Sequence, residues 1–259
     1  MGILTAAYSD KGTKKETNQD SFCIKIAKTQ FGKAVLGVIC DGMGGLEKGE
    51  VASASVINAF SNWFEKDLPM ELQKNNLNDL EYQWKRLIQE QNQRIGEFGR
   101  KNKIQLGTTL TAVFLIENKF MMIANVGDTR AYSINDKLTI LTEDHSVVAR
   151  EVKRGNITSE QAKTDPRRNV LLQCIGASKI VDPEFLFCVP AHTTTYMLCS
   201  DGFRHVINEN EIYNSFNPNN LMTEEIMEKN AKELVELDMQ RGETDNITVI
   251  LIKLQGGEN

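Results

Sequence analysis

Short hydrophobic runs separated by turns rich in glycine and lysine open the chain, and they predict strands over residues 3–9, 22–27 and 34–40. Apolar residues then recur every three to four positions, which predicts a helix over residues 50–66 that is closed by Pro69. A second helix is predicted over residues 78–101, where Trp84 and Phe98 share one apolar stripe and are expected in the core.

After Gly107 the spacing changes to short extended segments joined by tight turns, so antiparallel pairing is expected. The further strands are predicted over residues 108–116, 120–126, 130–134, 138–141, 170–175, 184–189, 195–199 and 247–254. The further helices are predicted over residues 146–154, 159–163, 209–215 and 224–241. This order lacks the strict strand–helix alternation of a parallel α/β sheet, so the sequence predicts an α+β sandwich. No linker or repeat divides the chain, and residues 1–259 are expected to form one domain.

Composition narrows the classes of function. The 30 Lys and Arg residues against 35 Asp and Glu residues leave a net charge of −5, which disfavours binding of nucleic acid through bulk charge. Apolar runs stay far below the roughly 20 residues that a membrane span needs, so no membrane interaction is expected. The N-terminus has no apolar segment typical of a secretory signal, and the protein is expected to be cytoplasmic.

The cysteine set favours free thiols over a disulfide framework. The five residues are odd in number, contain no C-x-x-C pair and have apolar neighbours, which predicts buried thiols in a reducing compartment. A nucleophilic cysteine is the alternative, and it requires a cationic or histidine neighbour. Only three histidines are available for that role: His145, His192 and His205.

Candidate chemistry lies in aspartates at the ends of predicted strands. Asp41-Gly42 and Asp201-Gly202 each follow an apolar strand, although Asp-Gly is also a frequent turn dipeptide. Asp20, Asp128 and Asp245 occupy similar places beside other strands. If the fold gathers these carboxylates, they repel one another unless cations neutralise them. Ligation by oxygen alone selects Mg²⁺ or Mn²⁺, whereas Zn²⁺ requires clusters of Cys and His that are missing here.

The ordered set of motifs resembles the metal-dependent Ser/Thr phosphatases of the PP2C (PPM) family, especially their bacterial branch. The matching stretches cover nearly the whole chain in the order of the family. They are Ser9-Asp10-Lys11-Gly12 with Asn18-Gln19-Asp20-Ser21, Asp41-Gly42-Met43-Gly44-Gly45, Gly107-Thr108-Thr109, Asn125-Val126-Gly127-Asp128-Thr129-Arg130-Ala131-Tyr132, Thr142-Glu143-Asp144-His145-Ser146, Arg168-Asn169-Val170-Leu171, Cys199-Ser200-Asp201-Gly202 and Asp245-Asn246-Ile247-Thr248.

The resemblance implies two antiparallel sheets flanked by helices, with a centre of two Mn²⁺ or Mg²⁺ ions at one end. Asp41 would bridge the two ions, the Gly42 carbonyl would bind one of them, and Asp201 with Asp245 would bind the other. Asp128 matches the position that helps to hold a third, weaker metal in bacterial members. These residues form the metal set that the family implies.

The resemblance also implies the reaction. A water that bridges the two metals would attack the phosphorus of phosphoserine or phosphothreonine directly, without a covalent phosphoenzyme. Asp20, Asp41, Asp201 and Asp245 are the expected catalytic residues, with Asp20 acting through metal-bound water.

Three positions depart from the family. Most members have an Arg that holds the substrate phosphate where this chain has Lys15, which supplies charge without the bidentate fork. Gln19 replaces the usual acidic residue before Asp20, and it can accept a hydrogen bond from metal water without adding charge. Met43 replaces a histidine that serves as general acid in some animal relatives, so a metal-bound water or another group must protonate the leaving group.

The three histidines are expected to lie in different parts of the structure. His145 lies in the Asp-His-Ser stretch of the family and is interpreted as support for a flap-like segment. His205 follows the Asp201 loop, where it either approaches the site or lies on the surface, and His192 is expected on the surface.

These observations predict a protein Ser/Thr phosphatase that acts on phosphorylated proteins, including a Ser/Thr kinase, and that works as a monomer. One alternative is a phosphoprotein-binding pseudoenzyme or regulatory subunit, in which Lys15 and Gln19 have removed turnover. Retention of Asp41, Asp201 and Asp245 argues against it, because a binding module needs no metal ligands. A metal phosphohydrolase of small phosphate esters is a further alternative, because the sequence does not reveal the width of the site.

Overall fold

A computed structural model describes residues 2–43, 48–74 and 77–256 and shows two five-stranded antiparallel sheets. The first sheet has the order β1 (Ile3–Asp10), β10 (Ile247–Leu254), β9 (Thr194–Cys199), β6 (Arg130–Ile134) and β7 (Leu138–Ile140). The second has the order β2 (Asp20–Thr29), β3 (Gly32–Asp41), β4 (Leu110–Ile116), β5 (Phe120–Val126) and β8 (Glu184–Cys188). The antiparallel pairing predicted from the tight turns is confirmed.

Helices cover the outer faces of both sheets. They are α1 (Gly49–Asn62), α2 (Leu68–Gln73), α3 (Leu80–Asn102), α4 (Val147–Lys153), α5 (Ser159–Thr164), α6 (Glu209–Phe216) and α7 (Glu224–Gln240). The first three pack on the second sheet, and α6 and α7 pack on the first. The predicted α+β sandwich is therefore confirmed as four layers. Among the described residues no helix has the length and apolarity that crossing a membrane requires.

The two sheets pack face to face through fully buried aliphatic side chains. Val35 and Ile39 of β3 belong to the same buried cluster as Leu198 of β9 and Ile250 of β10. Because the outer face of each sheet is also covered, the central strand β4 is buried at all seven of its positions. This double burial explains why its sequence is a continuous apolar run.

The prediction that Pro69 closes the first long helix is wrong. A wider π-type turn over Trp63–Asp67 follows α1, and Pro69 lies in the first turn of α2. Proline is tolerated there because its missing N–H has no required acceptor in a first helical turn.

The predicted strand over residues 170–175 is also wrong. Leu171 forms one bridge with Ser146, and Ile175 forms one bridge with Thr108. Because the segment pairs with two different partners through single residues, no ladder develops.

Two expectations of burial need correction. Phe98 is 39% exposed, because the buried stripe of α3 passes through Gly99, against which Ile104 and Leu106 pack. All five cysteines are free, as predicted, but Cys188 is exposed. It lies on the edge strand β8, which has a neighbour on one side only.

Trp84 lies in the core as predicted, and it organises the aromatic contacts between the helices and the second sheet. Its ring lies edge-on to Phe60 at a centroid distance of 4.9 Å and to Trp63 at 5.4 Å. Trp63 in turn contacts Phe114 of β4 at 5.5 Å. The ring contacts run from Phe60 to Trp84, from Trp84 to Trp63 and from Trp63 to Phe114, so they link α1, α3 and the second sheet.

Truncation of this core residue is expected to destabilise the protein strongly. Trp84→Ala should lower the free energy of unfolding by about 3–5 kcal/mol, because it removes buried aromatic contacts and leaves a cavity. Urea unfolding followed by circular dichroism measures the change. The matched control is Tyr82→Ala on the same helix, where the side chain is 68% exposed and the expected change is within about 0.5 kcal/mol. Equal losses in both variants would contradict the assigned role of Trp84.

Candidate metal centre

Strand register brings two carboxylates together at one end of the sandwich. Strands β2 and β3 are each ten residues long and are joined by the two-residue turn 30–31. The register therefore pairs their outer residues, Asp20 and Asp41, directly with each other. Directly opposed residues of antiparallel strands project to the same face, so both carboxylates belong to one site. β2 begins at Asp20, two residues before its predicted start.

The first sheet delivers its aspartates to the same end. β9 ends at Cys199 and β10 begins at Ile247, and their antiparallel pairing places the following Asp201 beside the segment that contains Asp245. A hydroxyl relay joins the two sheets. The Thr248 N–H donates to Ser200 Oγ at 3.0 Å, and Ser200 Oγ donates to Asp20 Oδ2 at 2.8 Å. The sequence-predicted aspartates thus meet at the junction of the sheets.

Close backbone approach requires glycine at position 42. A Cβ atom there would lie 2.5 Å from the carbonyl of Gly49 and 2.6 Å from the carbonyl oxygen of Gln19. The Gly42 N–H donates to that Gln19 oxygen at 3.1 Å. The backbone of Asp41 is fixed by Thr109, whose Oγ1 accepts the Asp41 N–H at 2.9 Å. Gly44 and Gly45 of the same motif lie outside the described residues.

Burial and mutual repulsion govern the charge of these carboxylates. Burial raises the pKa of Asp20 to about 7, against the lowering effect of hydrogen bonds from Thr248 and Ser200, and Asp201 and Asp245 add smaller contributions to the rise. Burial and the neighbouring Asp20 and Asp201 raise the pKa of Asp41 well above its ordinary value. Asp20 Oδ1 and Asp201 Oδ1 are buried without a hydrogen-bond partner. The site therefore concentrates negative charge that the surrounding protein leaves incompletely compensated.

Lys15 reaches this end of the sandwich and pairs with one of the aspartates. Its Nζ lies 2.7 Å from Asp245 Oδ1. Burial lowers the pKa of Lys15, but the hydrogen bond to Asp245 and the nearby Asp41 and Asp201 outweigh it and raise that pKa. Gln19, in contrast, turns its side chain away and donates from Nε2 to Glu50 Oε2 at 3.3 Å.

His205 approaches the site, and it connects two loops that carry aspartates. Its Nε2 lies 3.5 Å from Asp201 Oδ2, and its Nδ1 lies 3.0 Å from Glu243 Oε2. The other oxygen of Glu243 accepts the N–H groups of Thr244 at 2.6 Å and of Asp245 at 2.8 Å. Glu243 and His205 therefore hold the Asp201 turn and the Asp245 loop in one arrangement.

Asp128 lies beside the site within a network of charged side chains. Arg204 Nη2 donates to the Asp128 carbonyl at 2.9 Å and lies 3.7 Å from Asp128 Oδ2. Arg130 holds Asp144 with two hydrogen bonds of 2.7 and 2.8 Å. Burial and Asp201 raise the pKa of Asp128 to about 7, against the opposite effect of Arg204.

The remaining histidines and the cysteines lie in supporting positions. His145 Nδ1 accepts the Gly127 N–H at 3.3 Å and lies 2.8 Å from Gln173 Nε2, so it ties the Asp128 loop to the following segment. His192 is exposed, as predicted. Burial raises the pKa of Cys199 to about 12, which disfavours a nucleophilic thiolate there.

Sequence reasoning missed Glu243 and Arg204. Neither residue belongs to a pattern that distinguishes it from an ordinary surface charge. Glu243 pairs with His205 and Arg204 with Asp128, and these partners lie 38 and 76 positions away along the chain. Only the fold brings these groups together.

Glu243 is expected to contribute stability that depends on pH. Burial alone would raise its pKa, but hydrogen bonds from His205 and from two backbone N–H groups outweigh burial and lower the pKa to about 2. Since the folded pKa lies below the ordinary value of 4.5, the stabilisation is present above pH 4.5 and is lost as the pH falls towards 2. Glu243→Gln should therefore lower the free energy of unfolding by about 1–3 kcal/mol at pH 7, and by less at pH 3. Urea unfolding in EDTA measures both values, and a difference that stays constant from pH 7 to pH 3 would contradict the assignment.

Comparisons with known proteins agree with this geometry. Residues 11–240 match the family model of protein phosphatase 2C. The serine/threonine phosphatase stp of Listeria innocua is 31% identical over 250 residues, covering 95% of this chain and 93% of the relative.

The structure of the serine/threonine phosphatase Stp1 from Staphylococcus aureus has a TM-score of 0.83 and 31% identity, covering 99% of this chain and 96% of that one. The catalytic domain of the serine/threonine phosphatase PstP, solved in complex with two manganese ions, has a TM-score of 0.78 and 27% identity, covering 98% of each chain. The chain therefore belongs to the protein phosphatase 2C family, whose members are metal-dependent, and it is a protein serine/threonine phosphatase that acts on phosphorylated proteins.

Proposed function

We propose that this phosphatase hydrolyses phosphoserine and phosphothreonine at a centre of two Mn²⁺ or Mg²⁺ ions at the end of the sandwich. Asp41 and the Gly42 carbonyl would hold one ion, and Asp41, Asp201 and Asp245 would hold the other. The observation that carries the proposal is the pair of buried, unpartnered oxygens, Asp20 Oδ1 and Asp201 Oδ1, in a place where burial and neighbouring carboxylates raise the pKa of Asp20 and Asp41.

The residues fit divalent cations by their chemistry. Asp20, Asp201 and Asp245 all lie near enough to act on the charge of Asp41, and Lys15 forms an ion pair with Asp245. Carboxylate and carbonyl oxygens are the ligands that Mg²⁺ and Mn²⁺ prefer. In the described part of the chain, no three Asp, Glu, His or Cys side chains are already close enough to enclose an ion.

Bound cations would supply neutralising charge and a water of lowered pKa for attack on phosphorus. The protein's own part is to fix the ligands and the substrate. Ser200 orients Asp20 through its 2.8 Å hydrogen bond, which leaves Asp20 Oδ1 free for a water. Lys15 would pair with the substrate phosphate as a point charge while it remains near Asp245.

His205 is assigned a positioning role instead of the role of general acid. One of its ring nitrogens faces Asp201 and the other faces Glu243. Burial lowers the pKa of His205, but the hydrogen bond to Glu243 and the charge of Asp201 outweigh it and raise that pKa. A ring whose two nitrogens face Asp201 and Glu243 orients these carboxylates and has no nitrogen directed at a substrate.

The pseudoenzyme alternative is not favoured, because the relatives are named as phosphatases and the aspartates assemble in one place. We further propose that the substrates include a phosphorylated Ser/Thr kinase and that the chain acts as a monomer in the cytoplasm. Five free cysteines, two of them incompletely buried, support a reducing compartment.

The proposed centre is tested by removal of metal and of one ligand charge. Phosphopeptide hydrolysis should require Mn²⁺ or Mg²⁺ after EDTA treatment, and Asp201→Asn should lower kcat by at least about 100-fold, because it removes charge from the metal site without changing volume. Asp136→Asn, at an exposed position of the β6–β7 turn, is the matched control and should keep wild-type rates. Full activity in EDTA, or wild-type rates in Asp201→Asn, would refute the assignment.

Lys15 is expected to affect substrate affinity. Lys15→Arg should lower KM for a phosphopeptide about 10-fold at most, because a guanidinium can make two hydrogen bonds to phosphate where an ammonium acts as a point charge. Steady-state kinetics measures the effect, and Lys15→Ala should raise KM. Lys14→Arg, at an exposed neighbouring position, is the control. Unchanged kcat/KM in both Lys15 variants would show that this residue does not meet the phosphate.

A further inference from the structure

The charged network around Asp128 differs from the rest of the site in its balance of charge. Arg130 is committed to Asp144 through two short hydrogen bonds, at 2.7 and 2.8 Å. Arg204 is the second guanidinium of the network. Its Nη2 lies 3.7 Å from Asp128 Oδ2 and 3.5 Å from Asp144 Oδ2. Two arginines therefore face two aspartates, and the network is neutral when all four side chains are charged.

Local structure fixes Arg204 in that position. A 3₁₀ turn over Gly202–Arg204 follows Asp201, and the Arg204 N–H donates to the Asp201 carbonyl at 3.0 Å. The guanidinium donates to the Asp128 carbonyl at 2.9 Å, and its side chain is only 16% exposed. Arg204 thus bridges the turn after β9 and the loop before β6, and it cannot leave Asp128 without losing a buried hydrogen bond.

The opposite half of the site has an excess of negative charge. Asp20, Asp41, Asp201 and Asp245 share Lys15 and His205 as neighbouring cationic groups. Within the described residues, Asp20 and Asp201 each have a buried carboxylate oxygen without a hydrogen-bond partner. Asp128, in contrast, has the Arg204 guanidinium 3.7 Å from its Oδ2.

The resemblance to the family implies a third metal at Asp128, and the residues present do not fit one. A divalent cation bound by that carboxylate would lie next to a guanidinium and would be repelled by it. We propose that Arg204 is a resident cation that takes the place of a third metal, so that this chain binds divalent ions at Asp41, Gly42, Asp201 and Asp245 and none at Asp128. This inference rests on the proposed two-metal centre.

The number of bound metals tests the inference without an activity measurement. Protein stripped by chelator is dialysed against a series of Mn²⁺ concentrations from micromolar to millimolar, and bound manganese is counted per chain. Wild type and Asp128→Asn should both bind two ions. Three ions in the wild type, with one of them lost in Asp128→Asn, would overturn the inference while leaving the two-metal centre intact. No binding in either protein would refute both.

Removal of the guanidinium provides the positive arm of the experiment. Arg204→Gln should bind three ions, and Arg204→Gln combined with Asp128→Asn should return to two. The matched control is Arg154→Gln, at an exposed arginine directly after α4, and this variant should bind two ions. Two ions in a folded Arg204→Gln variant would also overturn the inference. Circular dichroism establishes folding, and if Arg204→Gln fails to fold, the comparison of wild type with Asp128→Asn decides.

Discussion

Repulsion between buried carboxylates is the constraint on which the active end of this phosphatase depends. The fold places Asp20 directly opposite Asp41 and brings Asp201 and Asp245 to the same end from the other sheet. Gathering like charges where water is scarce is unfavourable for folding, and the raised pKa values of Asp20 and Asp41 express that cost. The same arrangement is the physical basis of the proposed cation site.

The protein places a compensating positive charge beside only some of these carboxylates. The site therefore has two parts, one around Asp128 and one around Asp20 and Asp201. Arg204 stands beside Asp128, whereas Asp20 and Asp201 keep oxygens without partners. Hydroxyl and carboxylate groups around them act mainly by holding geometry: Ser200 fixes Asp20, and Glu243 fixes the Asp245 loop. Under the proposals made above, exchangeable cations would complete the part around Asp20 and Asp201, whereas Arg204 already supplies a positive charge beside Asp128.

The sequence predicted most strands and the two long helices because their apolar spacing survives in the folded protein. It failed at residues 170–175, because an apolar segment does not reveal whether a single partner strand is available, and at Pro69, because a proline that ends one helix can equally begin the next. Spacing alone left the aspartates as possible turns, and the resemblance to a family supplied their roles. The sequence did not predict a role for Glu243 or Arg204, because their roles depend on contacts between distant segments.

The two-residue turn between β2 and β3 has an effect far from where it lies. Nine residue steps separate Thr29 from Asp20, which at about 3.3 Å per residue corresponds to about 30 Å. Insertion of one residue into that turn would favour a pairing shifted by one position, and a shift by one turns every side chain of the displaced strand to the opposite face. Asp20 and Asp41 would then no longer share a face. The length of this surface hairpin therefore sets the register that places Asp20 opposite Asp41, so the proposed site depends on the hairpin as well as on the aspartates themselves.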